Sequence, residues 1–144
     1  MFVNPETPST FWGLKDAISF VSKKALFPPL GLLTVAAMIP ESFEKKLVDM
    51  NVSRLRDEHI AWADYVFISA MVIQKDSFEK TAARCRKAGV TVVAGGPVFE
   101  SLPEHIPGID SVIFNEAEAV PEFIDDLTVD RLKPVYRSDQ RADM

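Results

Sequence analysis

The chain has one cysteine, Cys85. An internal disulfide is impossible, and so is any site built from several thiolates. Histidine is almost as scarce. His59 and His105 lie far apart, and neither has a partner at metal-ligand spacing. Solvent-exposed histidines with no ligand role are expected. A basic excess is missing as well: 16 Lys and Arg face 21 Asp and Glu, for a net charge of −5. A nucleic-acid module would present a basic face, so no nucleic-acid partner is expected. No apolar run spans a bilayer. The best, Leu30 to Ile39, is about half of the ~20 residues required. The N-terminus lacks the basic-then-apolar order of a signal peptide. A cytoplasmic protein is the expectation. Two phosphate-binding signatures are also absent. Neither G-x-x-x-x-G-K-[ST] nor G-x-G-x-x-G occurs, which removes the P-loop and the dinucleotide fingerprint.

What is present is an ordinary globular balance. Of 144 residues, 47% are hydrophobic and 26% charged, which suits one domain with one sizeable core. The most informative run is Val90-Thr91-Val92-Val93-Ala94-Gly95-Gly96-Pro97. A strand this apolar belongs in the middle of a parallel sheet, buried on both faces. It stops on two glycines, which leave bare backbone where open α/β sheets bind ligands. Met1-Phe2-Val3 is a short first strand, Lys45 to Asn51 a second, Tyr65 to Ser69 a third, and Ser111 to Phe114 a fifth. Helical periodicity falls between them: from Thr10, over Leu30 to Ile39, over Asp57 to Ala63, from Asp76 or Ser77 to Gly89, and over Ala119 to Leu127. The helix over Leu30 to Ile39 is apolar nearly all round, so it is expected to be buried. Alternation of this kind predicts a flavodoxin-like α/β fold: five parallel strands in the order 2-1-3-4-5, with helices on both faces. From Asp130 onward the sequence turns polar, and residues 129–144 are expected to form a linker.

In that fold the ligand-facing loops are Asn4–Thr10, Ser69–Gln74, Gly95–Phe99 and Asn115–Glu118. They are rich in glycine, hydroxyl and carboxamide groups. That set suits a large, mostly neutral ligand. A receiver domain would end its third strand in Asp and its fifth in Lys; Ser69 and Asn115 stand nearby instead. A flavodoxin phosphate loop would carry glycine after the first strand, whereas Pro5-Glu6-Thr7-Pro8-Ser9-Thr10 has none. Cys85 lies mid-helix on the apolar side, as a core residue would. Glu116 and Glu118 are most simply charges favoured at a helix N-terminus. Lys45-Lys46 and Arg84-Arg86-Lys87 are expected to form solvated faces.

Five segments, in this order and spacing, carry a family resemblance. They are Asn4-Pro5-Glu6-Thr7-Pro8 with Thr10-Phe11-Trp12, then Phe27-Pro28-Pro29-Leu30-Gly31-Leu32-Leu33-Thr34-Val35-Ala36-Ala37. Asp64-Tyr65-Val66-Phe67-Ile68-Ser69-Ala70-Met71, Val93-Ala94-Gly95-Gly96-Pro97 and Asn115-Glu116-Ala117-Glu118 follow. Across most of residues 1–128 the chain resembles the N-terminal cobalamin (B12)-binding domain of a B12-dependent radical S-adenosylmethionine enzyme. The resemblance implies base-off cobalamin at the C-terminal edge of the sheet. It implies a slot for the nucleotide tail lined by Ser69 with Met71 and by Gly95 with Gly96. Cofactor contacts are expected from Thr7, Pro8, Ser9, Thr10, Ser69, Ala70, Met71, Val72, Ile73, Gly95, Gly96, Pro97, Asn115, Glu116, Ala117 and Glu118. No catalytic residue and no protein metal ligand are expected in this chain.

Two departures from the wider cobalamin family are visible. The Asp-x-His-x-x-Gly motif after the first strand is absent, so no histidine lower ligand is expected from that loop. The Cys-x-x-x-Cys-x-x-Cys motif of the radical module is absent too. The 4Fe-4S cluster and S-adenosylmethionine are therefore expected only in a separate catalytic module, in cis or in trans, with this chain excised from it or encoded apart. The implied whole-enzyme reaction is a methylation, or another radical transformation, of an unactivated carbon. A flavin- or nucleotide-binding domain on the same fold, or a protein-interaction module, remain the alternatives.

Overall fold

A computed structural model gives the structure and describes residues 1–8, 28–100, 108–114, 117 and 121–137. In chain order the regular elements are β1 (Phe2–Asn4), α1 (Leu30–Met38), β2 (Leu47–Asp49), α2 (Asp57–Trp62) and β3 (Tyr65–Ser69). A 3-10 turn (Val72–Gln74), α3 (Lys75–Lys87), β4 (Thr91–Gly95) and a second 3-10 turn (Pro97–Glu100) follow. The last elements are β5 (Ser111–Ile113), α4 (Glu122–Thr128) and β6 (Val135–Tyr136). The helix expected from Thr10 lies outside the described residues, as does most of the loop after the second 3-10 turn.

All six strands are parallel, in the order β2-β1-β3-β4-β5-β6. The α/β, flavodoxin-like class and the 2-1-3-4-5 order hold. The strand count is corrected from five to six. The extra strand falls inside the polar stretch expected to be a linker. Val112 N–H donates to Pro134 O at 2.9 Å and Phe114 N–H to Tyr136 O at 2.9 Å. Tyr136 is 1% exposed. Its ring packs edge-on to Phe123 at 5.4 Å, while its hydroxyl donates to Asp126 Oδ2 at 2.8 Å and accepts from Lys133 N–H at 2.9 Å. Two residues within a charged segment cannot show period-two alternation, so one buried aromatic does here what a strand pattern does elsewhere.

The pleat sends alternate side chains to opposite faces, and each face has its own core. Val3, Val66, Ile68, Val92, Ala94 and Val112 meet α3 through Phe78, Ala82 and Cys85, with Ile60 of α2 in the same cluster. On the other face, Phe2, Phe67, Val93 and Ile113 meet Leu32 and Ile39 beside α1, Phe123 and Leu127 of α4, and Tyr136. Among the α1 residues Leu32 is buried, but Leu30 and Leu33 remain 66% and 44% exposed. The expectation of burial all round is therefore corrected: one helix layer on a sheet hides only the stripe that touches it. α3 closes as expected at Gly89, whose φ of +79° lets Val90 N–H reach Cys85 O at 3.1 Å.

The basic residues of α3 are not merely solvated. Arg84 donates to Leu55 O at 3.3 and 3.2 Å and to Asp57 Oδ1 at 2.7 Å, while Arg86 pairs with Asp110. Asp110 in turn accepts Val92 N–H at 2.8 Å.

Two expectations follow from these cores. Replacing Tyr136 by Ala should destabilise the protein by about 3–5 kcal/mol, as other buried aromatic truncations do. Tyr136→Phe, which keeps the ring, should cost only about 1 kcal/mol. Urea unfolding of both variants measures this, and an unaffected Tyr136→Ala would mean that β6 contributes nothing. The second concerns Cys85, whose thiol burial pushes up from 9.0 to about 11. Its neutral form is favoured by folding, so its contribution is complete below pH about 9 and disappears as pH rises toward 11. Unfolding midpoints from pH 8 to 11 should fall more steeply for the parent than for Cys85→Ala.

Candidate functional site

The site begins with the last residues of β3 and β4. On the face toward α1, Phe67 pairs in register with Val93, and Ser69 with Gly95. The lower layer is filled by a phenyl ring and an isopropyl group. The layer above it, at the C-terminal edge, holds a hydroxymethyl group and a hydrogen. Ile113 of β5 stands beside Gly95 in register. Across the gap lies Gly31 in the first turn of α1, where an added Cβ would come 3.9 Å from Ser69 Oγ. The small residues on both walls leave a cavity of about 340 Å³. Phe67, Val93 and Leu32 are among its apolar lining; Thr34 and Val35 of α1, Pro97 and Ala117 also line it. That volume is at the low end for small-molecule sites. It suits one bicyclic ring, with any larger body left outside the sheet edge.

Gly95 and Gly96 do different jobs. Gly96 has a φ of +100°, and a Cβ there would stand 2.8 Å from both Ala70 O and Ser69 Oγ. The chain's own turn therefore requires this glycine. At Gly95 an added Cβ would meet Ile113 O at 3.2 Å, a tight contact, and the backbone is ordinary strand. Its missing side chain leaves open the cavity that it lines. The backbone around these two positions is already paired. Ala70 N–H donates to Gly95 O, Val98 N–H to Ala70 O and Phe99 N–H to Gly96 O, each at 3.1 Å.

The hydroxyls of Ser69 and Thr34 are the only polar side-chain groups among the described lining residues, and neither has a hydrogen-bond partner among the described residues. They are the groups available to a ligand. Ala70 is buried behind the rim. Met71, Val72 and Ile73 follow it with 41%, 54% and 59% exposure, a run of exposed apolar side chains next to the strand end.

That rim is anchored by a residue that the sequence reading passed over. Gln74, 3% exposed, accepts Met71 N–H at 2.9 Å and donates to Pro5 O at 2.7 Å and to Thr7 Oγ1 at 3.2 Å. Its amide ties the loop after β3 to the loop after β1. Asn51 holds the same loop from the other side, donating to Pro5 O at 3.1 Å and accepting Thr7 N–H at 2.8 Å. Asp49 fixes Asn51 in turn, at 2.9 Å. A carboxamide in a mixed segment gives no periodic signal, because its partners lie 69 and 67 residues away.

Ser69, Gly95, Gly96, Pro97 and Ala117 thus meet around one cavity, with Met71 to Ile73 on its flank. Thr7 and Pro8 are not among its described lining residues, and the Thr7 hydroxyl is engaged by Gln74. Ser9, Thr10, Asn115, Glu116 and Glu118 lie outside the described residues. The α1 contribution, Gly31, Leu32, Thr34 and Val35, was absent from the expected contacts although it sits in the Phe-Pro-Pro-Leu-Gly-Leu segment. His59 is half-buried rather than exposed. Its Nδ1 accepts Arg56 N–H at 3.3 Å in its own helix turn. His105 is outside the described residues. No cluster of His, Cys, Asp and Glu able to hold a metal ion occurs among the described residues. No helix among them is long and apolar enough to cross a membrane. A second hollow of about 320 Å³, bordered by Phe43, Trp62 and Tyr65, lies at the opposite edge, where open parallel sheets do not bind their ligands.

An uncharacterized methyltransferase of Synechocystis sp. is 33% identical over 147 residues, covering 100% of this chain and 27% of that protein. The hopanoid C-2 methylase of Rhodopseudomonas palustris is 33% identical over 125 residues, covering 83% of this chain and 24% of that protein. The chain therefore spans about a quarter of the length of these curated relatives. No solved structure matches. The model of the B12 binding domain matches residues 20–124, most of the chain, including strands β2, β3, β4 and β5. The chain belongs to the B12-binding domain family.

Proposed function

We propose that this chain holds cobalamin base-off at the C-terminal edge of its sheet, as the cofactor domain of a B12-dependent radical S-adenosylmethionine methyltransferase. The observation that carries this is the slot between Gly31 of α1 and the Ser69–Gly95 pair. It is a cradle that ordinary side chains would fill, and its volume takes a heterocycle but not a corrin. The cofactor fits the residues present. The dimethylbenzimidazole tail would enter between α1 and the strand ends, with the Ser69 and Thr34 hydroxyls beside it. Met71, Val72 and Ile73 would offer the corrin an apolar seat, and Thr7 to Thr10 and Asn115 to Glu118 would border it. When bound, cobalamin supplies a cobalt centre that carries a methyl group.

The chain's own share is binding, orientation and exclusion of water from the tail. Its loop after β1 holds no histidine, so that loop would offer a bound cobalt no imidazole. The 4Fe-4S cluster and S-adenosylmethionine belong to a radical module beyond this quarter-length segment, in cis or in trans. The names of the two relatives, a methyltransferase and a methylase, support methyl transfer as the whole-protein reaction. A cytoplasmic location is part of the same reading, as is a cofactor domain that takes in the expected residues 1–128 and extends through β6.

Gel filtration after mixing with hydroxocobalamin tests the reading. Coloured cofactor should co-elute with the protein, aerobically or after reduction. Elution of colourless protein under both conditions would sink it, and yellow protein retaining flavin would favour the rival cofactor. Gly95→Val keeps a strand-compatible backbone but puts methyl groups at the cavity wall. It should lower cobalamin affinity at least tenfold, with the parallel sheet retained by circular dichroism but the melting temperature lowered by the contact with Ile113 O. Gly31→Ala, at an ordinary helical position, should leave the melting temperature unchanged or raised. It should nonetheless weaken binding several-fold.

A further inference from the structure

The tail slot has a chemical selectivity built into its walls. Apart from two hydroxyls its described lining is hydrocarbon and backbone. Leu32, Val35, Phe67, Val93 and Ile113 provide the walls and floor, and Ser69 and Thr34 are the side-chain hydrogen-bonding groups. The backbone at the strand ends offers little more, because the Gly95, Ala70 and Gly96 carbonyls already accept N–H groups. A ligand buried here can therefore satisfy only a few polar atoms, through the two hydroxyls and the N–H groups of Gly31 and Leu32 in the first turn of α1, which have no partner among the described residues. Each buried polar atom beyond that loses its water without replacement.

We infer that this cavity discriminates between the heterocycles at the end of the cofactor's nucleotide tail, accepting a benzimidazole and disfavouring adenine. The inference rests on the cobalamin reading above and adds to it. A benzimidazole bonded to its sugar has one free ring nitrogen, which a hydroxyl satisfies, and the rest of its edge is hydrocarbon. An adenine carries an exocyclic amino group and several ring nitrogens around the same outline. Its polar atoms together ask for more partners, acceptors for the amino group above all, than two hydroxyls and two N–H groups supply. An apolar pocket rejects an isostere that adds an unpaired polar group by no more than roughly 100-fold, so the preference is moderate, not absolute.

The test is equilibrium titration of the purified protein with three corrinoids: cobalamin, the cobamide with adenine in its tail, and cobinamide, which has no tail base. Absorbance and co-elution are the readouts. Cobalamin should bind tightest, and both the adenine-tailed cobamide and cobinamide should bind at least tenfold more weakly. Val35→Thr places a hydroxyl on the α1 wall with little change of shape, and should narrow the gap between the two cobamides at least threefold. An adenine-tailed cobamide within twofold of cobalamin overturns the selectivity. So does an unchanged ratio in Val35→Thr. Cobinamide binding as well as cobalamin also overturns it while leaving corrinoid binding intact. Failure of all three to bind removes the cofactor reading itself, and the selectivity with it.

Discussion

The arrangement at this sheet edge depends on one register: Ser69 beside Gly95, directly above Phe67 beside Val93. In a parallel sheet covered by helices, the last layer of side chains normally closes the gap between strand ends and helix. Here that layer is a hydroxymethyl group and a hydrogen, and the helix opposite answers with another glycine, Gly31. A void between packed layers costs stability, because its lining atoms forfeit dispersion contacts. A protein that leaves one at the carboxyl edge of its sheet departs from its own packing rule in the place where such sheets bind ligands.

The rest of the structure keeps that gap open and in place. Phe67 anchors its floor by stacking on Phe2 at 5.0 Å and meeting Phe123 edge-on at 6.1 Å. Gly96 takes the chain through a left-handed turn so that Ala70 and Gly95 close on each other by hydrogen bonds. Gln74, buried, and Asn51, half-buried, bind the neighbouring loops through their amides, which fix geometry without adding charge. Among the described residues the cavity lining is thus uncharged, apolar in its depth and hydroxyl-bearing at two points. This chemistry fits a heterocyclic tail better than a phosphate, and it agrees with the absence of any glycine-rich phosphate loop in the sequence.

Much of this was legible before the structure. The strand Tyr65–Ser69 and the turn at Gly95-Gly96 are visible because apolar β-branched runs and glycines act locally, and both govern the site. The family resemblance rested on the segments that build the slot's two walls. Other parts were hidden for physical reasons. Gly31 and Thr34 lie in a helix so uniformly apolar that no periodicity marks which stripe faces the cavity. The roles of Gly95 and Gly96 look alike in sequence, yet one is set by backbone conformation and the other by the space beside Ile113. Gln74 acts through partners that only the fold brings near. β6 is two residues long, and Tyr136 reveals itself only by its burial.

The most direct measurement is the electron paramagnetic resonance spectrum of the protein bound to cob(II)alamin. Held base-off, with its tail in the slot between α1 and the β3–β4 ends and no histidine in its place, the cobalt should show no nitrogen superhyperfine splitting. A spectrum split by one axial nitrogen would mean either that the tail base stays on cobalt or that a histidine replaces it. Either result would contradict the account.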